Sequence, residues 1–201
     1  MQTLHPFHGS ILEYFQEVSD PNRYRLDHCP FCHAQDPLRA HGFYFRTLVD
    51  VSYDGSIPVR RYLCLLCKRT VSLLPEFVLP YLRFSIRVIG LFLVARLLDK
   101  RTLKEMAGMA LQPHMSYQRG QFWVRRFRRQ AEPLCAALTS LTPVTGAGDF
   151  VTRALAMFKA IRWIPAHRFL FAQLRVHLLG WPRFLVPYGC RLQFLPDLSG
   201  C

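Results

Sequence analysis

Carboxylates are scarce in the second part of this sequence, which argues against several kinds of enzyme. After residue 80 the chain holds only five acidic residues: Asp99, Glu105, Glu132, Asp149 and Asp197. Phosphoryl transfer by two metal ions needs a cluster of carboxylates to hold the ions. Three of the five fall in a helical segment discussed below, so too few remain for a nuclease site. The chain also lacks a glycine-rich phosphate loop and a nucleophile elbow. We therefore expect no catalytic residues and no enzyme activity of its own.

Long hydrophobic runs are also missing. The longest, Val88–Ala95, is closed by Arg87 and Arg96 and is far shorter than the roughly 20 residues of a membrane span. The first ten residues are polar and do not resemble a secretory signal. We expect a cytoplasmic protein with no membrane partner.

Lysine is rare, yet the chain is strongly basic. It has 26 Lys and Arg against 13 Asp and Glu, a formal net charge of +13, and only four of the basic residues are lysine. Residues 1–80 are balanced, with eight of each sign, whereas residues 81–201 hold eighteen basic residues against five acidic ones. This asymmetry predicts a polyanionic partner, nucleic acid above all. Arginine suits phosphates and guanine edges, although a GC-rich genome would produce the same bias.

Four of the seven cysteines form two Cys-x-x-Cys pairs, Cys29 with Cys32 and Cys64 with Cys67. In a reducing compartment such pairs more often bind zinc than form disulfides. Four thiolates make a closed structural site with no position for water or substrate. We therefore predict one structural Zn²⁺. A dithiol redox pair, an iron–sulfur cluster, or His28 or His33 in place of one cysteine are the alternatives. The other cysteines have no mate at ligand spacing.

A β zinc ribbon is predicted for residues 28–80. Phe43–Tyr53 and Ile57–Leu63 are rich in β-branched and aromatic residues and flank Asp54-Gly55, a strong hairpin-turn signal. Thr70–Leu74 is a third strand. So small a sheet needs a metal for stability. Residues 1–27 should form a helical lid, with a helix near Ser10–Val18.

A helix-turn-helix is predicted for residues 81–138. The first helix begins near Arg83 and buries Val88, Leu91, Phe92, Ala95 and Leu98. Thr102 would cap a second helix, Leu103–Leu111, and the Gln112-Pro113-His114 turn would precede a third, capped by Ser116 and ending near Gln130 because of Pro133.

The third helix carries the predicted DNA contacts. Trp123, Phe127 and Ala131 recur every four residues and should be buried. The opposite face would read bases, and basic residues beside it would bind phosphates. The base-reading set is Gln118, Gln121, Phe122, Arg125 and Arg129, and the phosphate set is Arg119, Arg126 and Arg128.

A basic, aromatic-rich helical tail is predicted for residues 139–201. After a linker over Thr139–Gly148, two helices are expected at Phe150–Trp163 and Ala166–Leu179, separated at Pro165. The complete expectation is an α+β fold: a small β zinc ribbon, a three-helix helix-turn-helix and this tail.

Residues 28–131 resemble the N-terminal region of bacterial insertion-sequence transposases, and short uncharacterised bacterial proteins that share it. The resemblance is carried by these motifs: Cys29-Pro30-x-Cys32, His41-Gly42-x-Tyr44-x-Arg46, Ile57-Pro58-Val59-Arg60-Arg61-Tyr62-x-Cys64-x-x-Cys67-x-Arg69-Thr70-x-Ser72-x-Leu74-Pro75, Thr102-Leu103, Met106-Ala107 and the Trp123–Phe127 helix. It implies zinc ligation by Cys29, Cys32, Cys64 and Cys67, binding to the terminal repeats of a mobile element, and a bacterial, nucleoid-associated location. The acidic catalytic domain of full transposases is missing.

Three functional hypotheses follow. The first is a non-catalytic, sequence-specific protein that binds double-stranded DNA at element ends. The second is a truncated or frameshifted transposase that works with a catalytic subunit. The third is a zinc-ribbon module that binds RNA or protein through Phe43, Tyr44, Phe45 and Tyr53. The sequence leaves homo-oligomerisation open.

Overall fold

The fold combines a four-stranded sheet with helices, which confirms the predicted α+β class. A computed structural model describes residues 2–102, 105, 116–143 and 148–180. The predicted second helix of the helix-turn-helix and the turn after it lie outside these residues, so that motif stays a prediction. Within the described ranges the elements are β1 (Gln2–His5), α1 (Ile11–Glu17), β2 (Leu38–Asp50), β3 (Tyr53–Cys64), β4 (Thr70–Pro75), α2 (Ile86–Leu97), α3 (Tyr117–Leu138), α4 (Phe150–Ile161) and α5 (Trp163–Leu174).

The sheet has the strand order β1-β4-β3-β2. β2, β3 and β4 form an antiparallel meander, whereas β1 pairs in parallel with β4. The sequence did not predict β1. It is four residues long, and its partner β4 lies some seventy residues away, so its pairing has no local signal.

The hairpin between β2 and β3 turns at Val51 and Ser52, and the predicted turn at Asp54-Gly55 is wrong. Asp54 and Gly55 lie inside β3, paired with Val49 and Leu48. The end of β2 is fixed by the segment that precedes α2. The Val49 amide donates to the Arg83 carbonyl at 2.7 Å, and the Ser85 amide donates to the Val49 carbonyl at 2.9 Å. These tertiary bonds set the register more strongly than the local turn preference does.

Helix α1 starts where the sequence predicts and packs on the sheet. Ser10 and Glu13 form a capping box, in which each side chain accepts from the other residue's backbone amide. Tyr14 is fully buried, and its hydroxyl donates to the Pro58 carbonyl on β3 at 2.8 Å. The N-terminal segment is therefore held to the sheet by β1 and by α1.

The helical core centres on α2, which contacts α3, α4, α5 and β2. Trp123 of α3 lies edge-on against Phe84 and Phe92, with ring centroids 4.9 and 5.2 Å away. Trp123, Phe127 and Ala131 are all buried, as their spacing predicts. Leu91, expected inside, is 54% exposed, because α2 buries the adjacent arc around Ile89 and Leu93 instead.

Several helix boundaries differ from those predicted. α3 continues through Pro133 to Leu138, because Leu134, Cys135 and Leu138 are buried in the core and tertiary packing outweighs the lost backbone hydrogen bond. α4 and α5 separate at Arg162, which has a φ of 74°, rather than at Pro165.

Pro165 lies instead in the first turn of α5, where amides lack helical partners and proline is tolerated. α5 ends at Leu174, short of the predicted Leu179, and Arg175 adopts the left-handed conformation. Leu178 and Leu179 are nevertheless buried in the same core. The part of the tail that the structure describes is thus an integral layer of the helical core.

Close packing of α2 against α5 generates the first prediction. A Cβ atom on Gly90 would lie 2.8 Å from the Trp163 ring, which itself stacks on Phe158. In an exposed helix Gly→Ala stabilises by up to about 1 kcal/mol, but overpacking costs about 1–3 kcal/mol. We expect Gly90→Ala to lower the free energy of unfolding by roughly 1 kcal/mol, measured by urea denaturation.

The matched control is Leu91→Ala at the neighbouring, exposed position of α2. It should change stability by less than about 0.5 kcal/mol, as surface substitutions usually do. A Gly90→Ala protein more stable than the parent would contradict the packing described for Trp163.

Candidate metal centre

The two Cys-x-x-Cys segments adopt the same backbone conformation. In the first, the Cys29 amide donates to the Ala34 carbonyl and the His33 amide donates to the Cys29 carbonyl, both at 2.9 Å. In the second, the Cys64 amide donates to the Arg69 carbonyl and the Lys68 amide donates to the Cys64 carbonyl, both at 3.0 Å. Both segments are therefore knuckles, tight turns that aim two thiols at one point.

His33 and Lys68 occupy equivalent positions just after the second cysteine of each knuckle. Both have positive φ, 58° and 57°, in the left-handed region that non-glycine residues rarely adopt. Local sequence reasoning missed this structural role; their matching positions after each second cysteine are the only signal for it. His33 thus contributes its backbone to the turn, and the metal-ligand group found among the described residues contains the four cysteines without either flanking histidine.

The sheet brings the knuckles together. Cys64 ends β3, where it pairs with Leu38 at the start of β2, just after the first knuckle. The Leu65 amide donates to the Pro37 carbonyl at 3.0 Å, which ties one knuckle to the other. A small core of Leu38, Tyr62, Val71 and Leu73 lies beneath the thiols.

The four thiol sulfurs form one compact group, which places all four predicted ligands in a single site. All lie within 4.8 Å of one another, and the Cys29–Cys67 and Cys32–Cys64 pairs are each 3.7 Å apart. A disulfide needs about 2.05 Å, so the cysteines are free. A tetrahedral ion with bonds of about 2.3 Å separates its sulfurs by roughly 3.8 Å.

These distances fit one metal ion. An iron–sulfur cluster divides its cysteine ligands between different iron atoms and therefore spreads them farther apart. Cys29 and Cys64 are buried, Cys67 is partly buried and Cys32 is exposed, so the group lies at the surface with two ligands anchored below. It is compatible with a structural metal site.

Backbone amides prepare the thiols for ligation. The Phe31 amide donates to Cys29 Sγ and the Cys67 amide donates to Cys64 Sγ, both at 3.4 Å. Burial raises the pKa of the Cys64 thiol, but backbone amides and neighbouring thiols outweigh it and lower the pKa to about 7. The first proton is therefore lost readily.

Further ionisation is opposed by the thiolate already formed. The Arg69 amide lowers the pKa of the Cys67 thiol, but burial and the three neighbouring thiols together raise that pKa to about 11. Four negative sulfurs at these distances repel one another strongly. A divalent cation would remove this repulsion, and binding it would release protons.

The predicted base-reading face of α3 is exposed. Gln118, Gln121, Phe122, Arg125 and Arg129 all face outward, as does Arg128. Arg119 is partly buried, with its guanidinium 5.0 Å from the centre of the Phe84 ring.

Arg126, a predicted phosphate contact, and Arg60 are both engaged in the fold. Arg126 is partly buried, and its Nε donates to the Leu179 carbonyl at 2.9 Å. Arg60 is buried on β3, and its guanidinium donates to the Val18 and Ser19 carbonyls. Tertiary structure thus uses part of the basic charge to hold chain segments in place.

The geometry defines an α+β protein with a four-cysteine candidate metal site and a basic helix. Comparison with known proteins gives one match: residues 29–109 fit the model of a family described as "Domain of unknown function (DUF6431)". The match covers less than half of the chain and includes all four cysteines. It names no function, so the resemblance to transposases stays a prediction. No curated protein and no solved structure matches the chain.

Among the helices of the described ranges, none has both the length and the apolar character required to cross a bilayer.

The thiol geometry generates the second prediction. Cys64→Ser should reduce bound metal from one ion per chain to a small fraction of that, because a hydroxyl is a poor ligand for a soft thiolate site. It should also lower the thermal midpoint, since metal binding contributes folding free energy. Elemental analysis of protein purified without chelator, followed by thermal melts, measures both.

Cys135→Ser is the control. Cys135 lies in the helical core, where its thiol donates to the Phe150 carbonyl at 3.3 Å, a bond that serine can also make. It should keep a full equivalent of metal. Equal metal content in the two variants, or none in the parent protein, would refute the site.

Proposed function

We propose that this protein binds double-stranded DNA through α3, supported by a ribbon that one structural zinc ion holds folded. The observation that carries this proposal is the outward face of α3, where glutamine, phenylalanine and arginine side chains are exposed on a helix whose opposite side is fixed in the core. Zinc is the ion of choice because four thiolates in tetrahedral arrangement favour it.

The charge of α3 supports a polyanionic partner. Five arginines lie between Arg119 and Arg129, and Glu132 is the only carboxylate on this helix. Neutralising several DNA phosphates releases their counterions and drives association. An ordinary solvated helix face would mix both signs, as surfaces generally do.

The rigidity of α3 supports specific rather than diffuse binding. Trp123 and Phe127 are almost fully buried, so rotation of the helix about its axis would disrupt the core. The exposed side chains therefore keep one orientation. Helices that read the major groove present a few fixed side chains in this way.

Roles can be proposed for the individual residues. Gln118 and Gln121 suit adenine, Arg125 and Arg129 suit guanine, and Phe122 suits a thymine methyl group. Arg128 and Arg119 suit phosphates, which position the protein without reading sequence. Arg126 is less suited to binding phosphate, because its Nε donates a hydrogen bond to the Leu179 carbonyl.

The resemblance to transposase N-terminal regions suggests element ends as the DNA target, reached alone or together with a catalytic subunit. An RNA-binding ribbon is the weaker reading. Phe45 is 71% exposed, but the Phe43 ring is covered by the Arg60 guanidinium at 3.8 Å. The hairpin thus offers fewer free rings for base stacking than its sequence suggests.

The third prediction concerns salt dependence. For the parent protein, the affinity for a duplex of about 25 base pairs should fall steeply as salt rises. Replacing both Arg119 and Arg128 by alanine should reduce the slope of log affinity against log salt by about 2, roughly one per phosphate contact. Fluorescence anisotropy across a salt series measures this slope.

Arg39→Ala is the matched control, because it also removes an exposed positive charge but does so away from α3. Arg39 lies on β2, which makes no contact with α3 in the described part of the chain. For this variant, the slope of log affinity against log salt should stay near that of the parent protein. Absence of duplex binding at low salt would contradict the proposed interface. The same would follow if Arg39→Ala changed the salt slope as much as each arginine replaced on α3. Stronger binding to single-stranded RNA would favour the ribbon module.

A further inference from the structure

Two arginines from different segments lie over the same aromatic ring, at the first turn of α3. The guanidinium carbon of Arg119 is 5.0 Å from the centre of the Phe84 ring, and that of Arg83 is 5.2 Å from it. The two guanidinium groups therefore cannot be farther apart than these two distances together. Arg83 is exposed and Arg119 is partly buried, so the pair lies at the surface.

Both arginines project from anchored backbone. Arg83 precedes α2, and its carbonyl accepts a hydrogen bond from the Val49 amide at 2.7 Å. Arg119 is the third residue of α3, which is fixed close by through Trp123, whose ring lies edge-on against Phe84 at 4.9 Å. Phe84 is itself buried. A side chain that starts from fixed backbone and rests on a fixed ring loses little further freedom when it binds a ligand.

The donors of these two guanidinium groups are not used within the described part of the chain. There, no carboxylate forms an ion pair with Arg83 or Arg119, and neither side chain donates a hydrogen bond. Asp50, which bonds to the same segment, is buried and accepts from the Ser85 hydroxyl at 2.5 Å. A guanidinium held over the face of a ring keeps its N–H groups available for an anion.

Their position beside the start of α3 makes these charges unfavourable by themselves. The N-terminal end of a helix carries a partial positive charge. The first turn of α3 contains no acidic residue, and the Ser116 side chain makes no capping hydrogen bond. The two guanidinium groups therefore repel this end of the helix and each other. A bound anion would remove that repulsion, so the arrangement suits a ligand better than it suits stability.

We propose that Arg83 and Arg119 together bind a phosphate group of the DNA backbone. This inference rests on the proposed function and adds Arg83, which lies outside α3, to the interface. Arginine suits the role because its planar fork can hold two phosphate oxygens at once. Arg119 directly follows Gln118, an exposed residue of the base-reading face. A phosphate held here would fix the start of α3 beside the groove, as phosphate contacts fix register and orientation.

The fourth prediction tests Arg83 in the same duplex assay, with the full chain. Arg83→Ala should reduce the slope of log affinity against log salt by about 1. At low salt it should weaken duplex binding roughly 10-fold, as loss of a hydrogen-bonded charge does. Arg83→Lys keeps the charge and should retain the slope. Fluorescence anisotropy across a salt series measures both quantities, and thermal melts should show a midpoint near that of the parent, because the side chain is exposed.

A double-mutant cycle tests whether the two arginines hold one phosphate. Arg83→Ala and Arg119→Ala are measured singly and combined. Loss of either guanidinium already leaves a shared phosphate poorly held, so the combined variant should lose less affinity than the product of the two single losses. A combined loss equal to that product would mean two independent contacts and would overturn the shared site.

Arg87→Ala is the matched control. It removes another exposed arginine, four positions farther along the chain, at the start of α2. Arg87 lines a cavity with Phe7 and Trp163, and no residue of α3 lines that cavity. The salt slope of this variant should stay near that of the parent protein.

Two results would overturn the inference while leaving the proposed function in place. One is an Arg83→Ala protein with the slope and affinity of the parent, and the other is an equal loss of slope in Arg83→Ala and Arg87→Ala. In both cases the variant lacking Arg119 and Arg128 would still show its reduced slope, and Arg83 would serve as cover for the Phe84 ring. If the parent protein binds no duplex even at low salt, the proposed function and this inference fail together.

Discussion

The arrangement of four thiols within 4.8 Å is the constraint on which the sheet depends. Two knuckles with matching hydrogen bonds direct these sulfurs at one point, although His33 and Lys68 must adopt left-handed conformations for it. Four ionised sulfurs so close together repel one another, and the opposed shifts in the pKa of Cys64 and Cys67 express that repulsion. A single bound cation would remove this repulsion and cross-link the segment before β2 to the end of β3. The core beneath it is small, so the metal would supply much of the local stability.

The sheet and the helices are joined by polar bonds as well as by packing. Arg46 of β2 donates to the carbonyls of Leu79 and Leu82, and burial lowers the pKa of its guanidinium. Ser85, which caps α2, donates to the buried Asp50 at 2.5 Å. Glu76 and Arg168 form a third link between β4 and α5. Each bond satisfies a buried charge or carbonyl that would otherwise be costly. The helical core, and α3 with it, is thereby oriented relative to the sheet.

The proposed DNA-binding face of α3 depends on the core behind it. This face is strongly basic and is held in one orientation by the buried Trp123 and Phe127, which suits the regular backbone and groove of a duplex.

The sequence by itself determined the features that local chemistry controls. The cysteine spacing predicted the metal-ligand group, the apolar spacing over Ser10–Val18 predicted α1, and the four-residue repeat of Trp123 and Phe127 predicted the buried side of α3. Thr102, the predicted cap, accepts a hydrogen bond from the Glu105 amide at 3.3 Å, while the helix predicted after it lies outside the described residues. Tertiary structure decided the rest, because the decisive bonds join residues far apart in the chain. β1 pairs across some seventy residues, the turn at Val51 is set by Arg83 and Ser85, and α3 passes Pro133 because its end is buried. The Glu76–Arg168 ion pair joins residues 92 positions apart, so no local pattern predicts it.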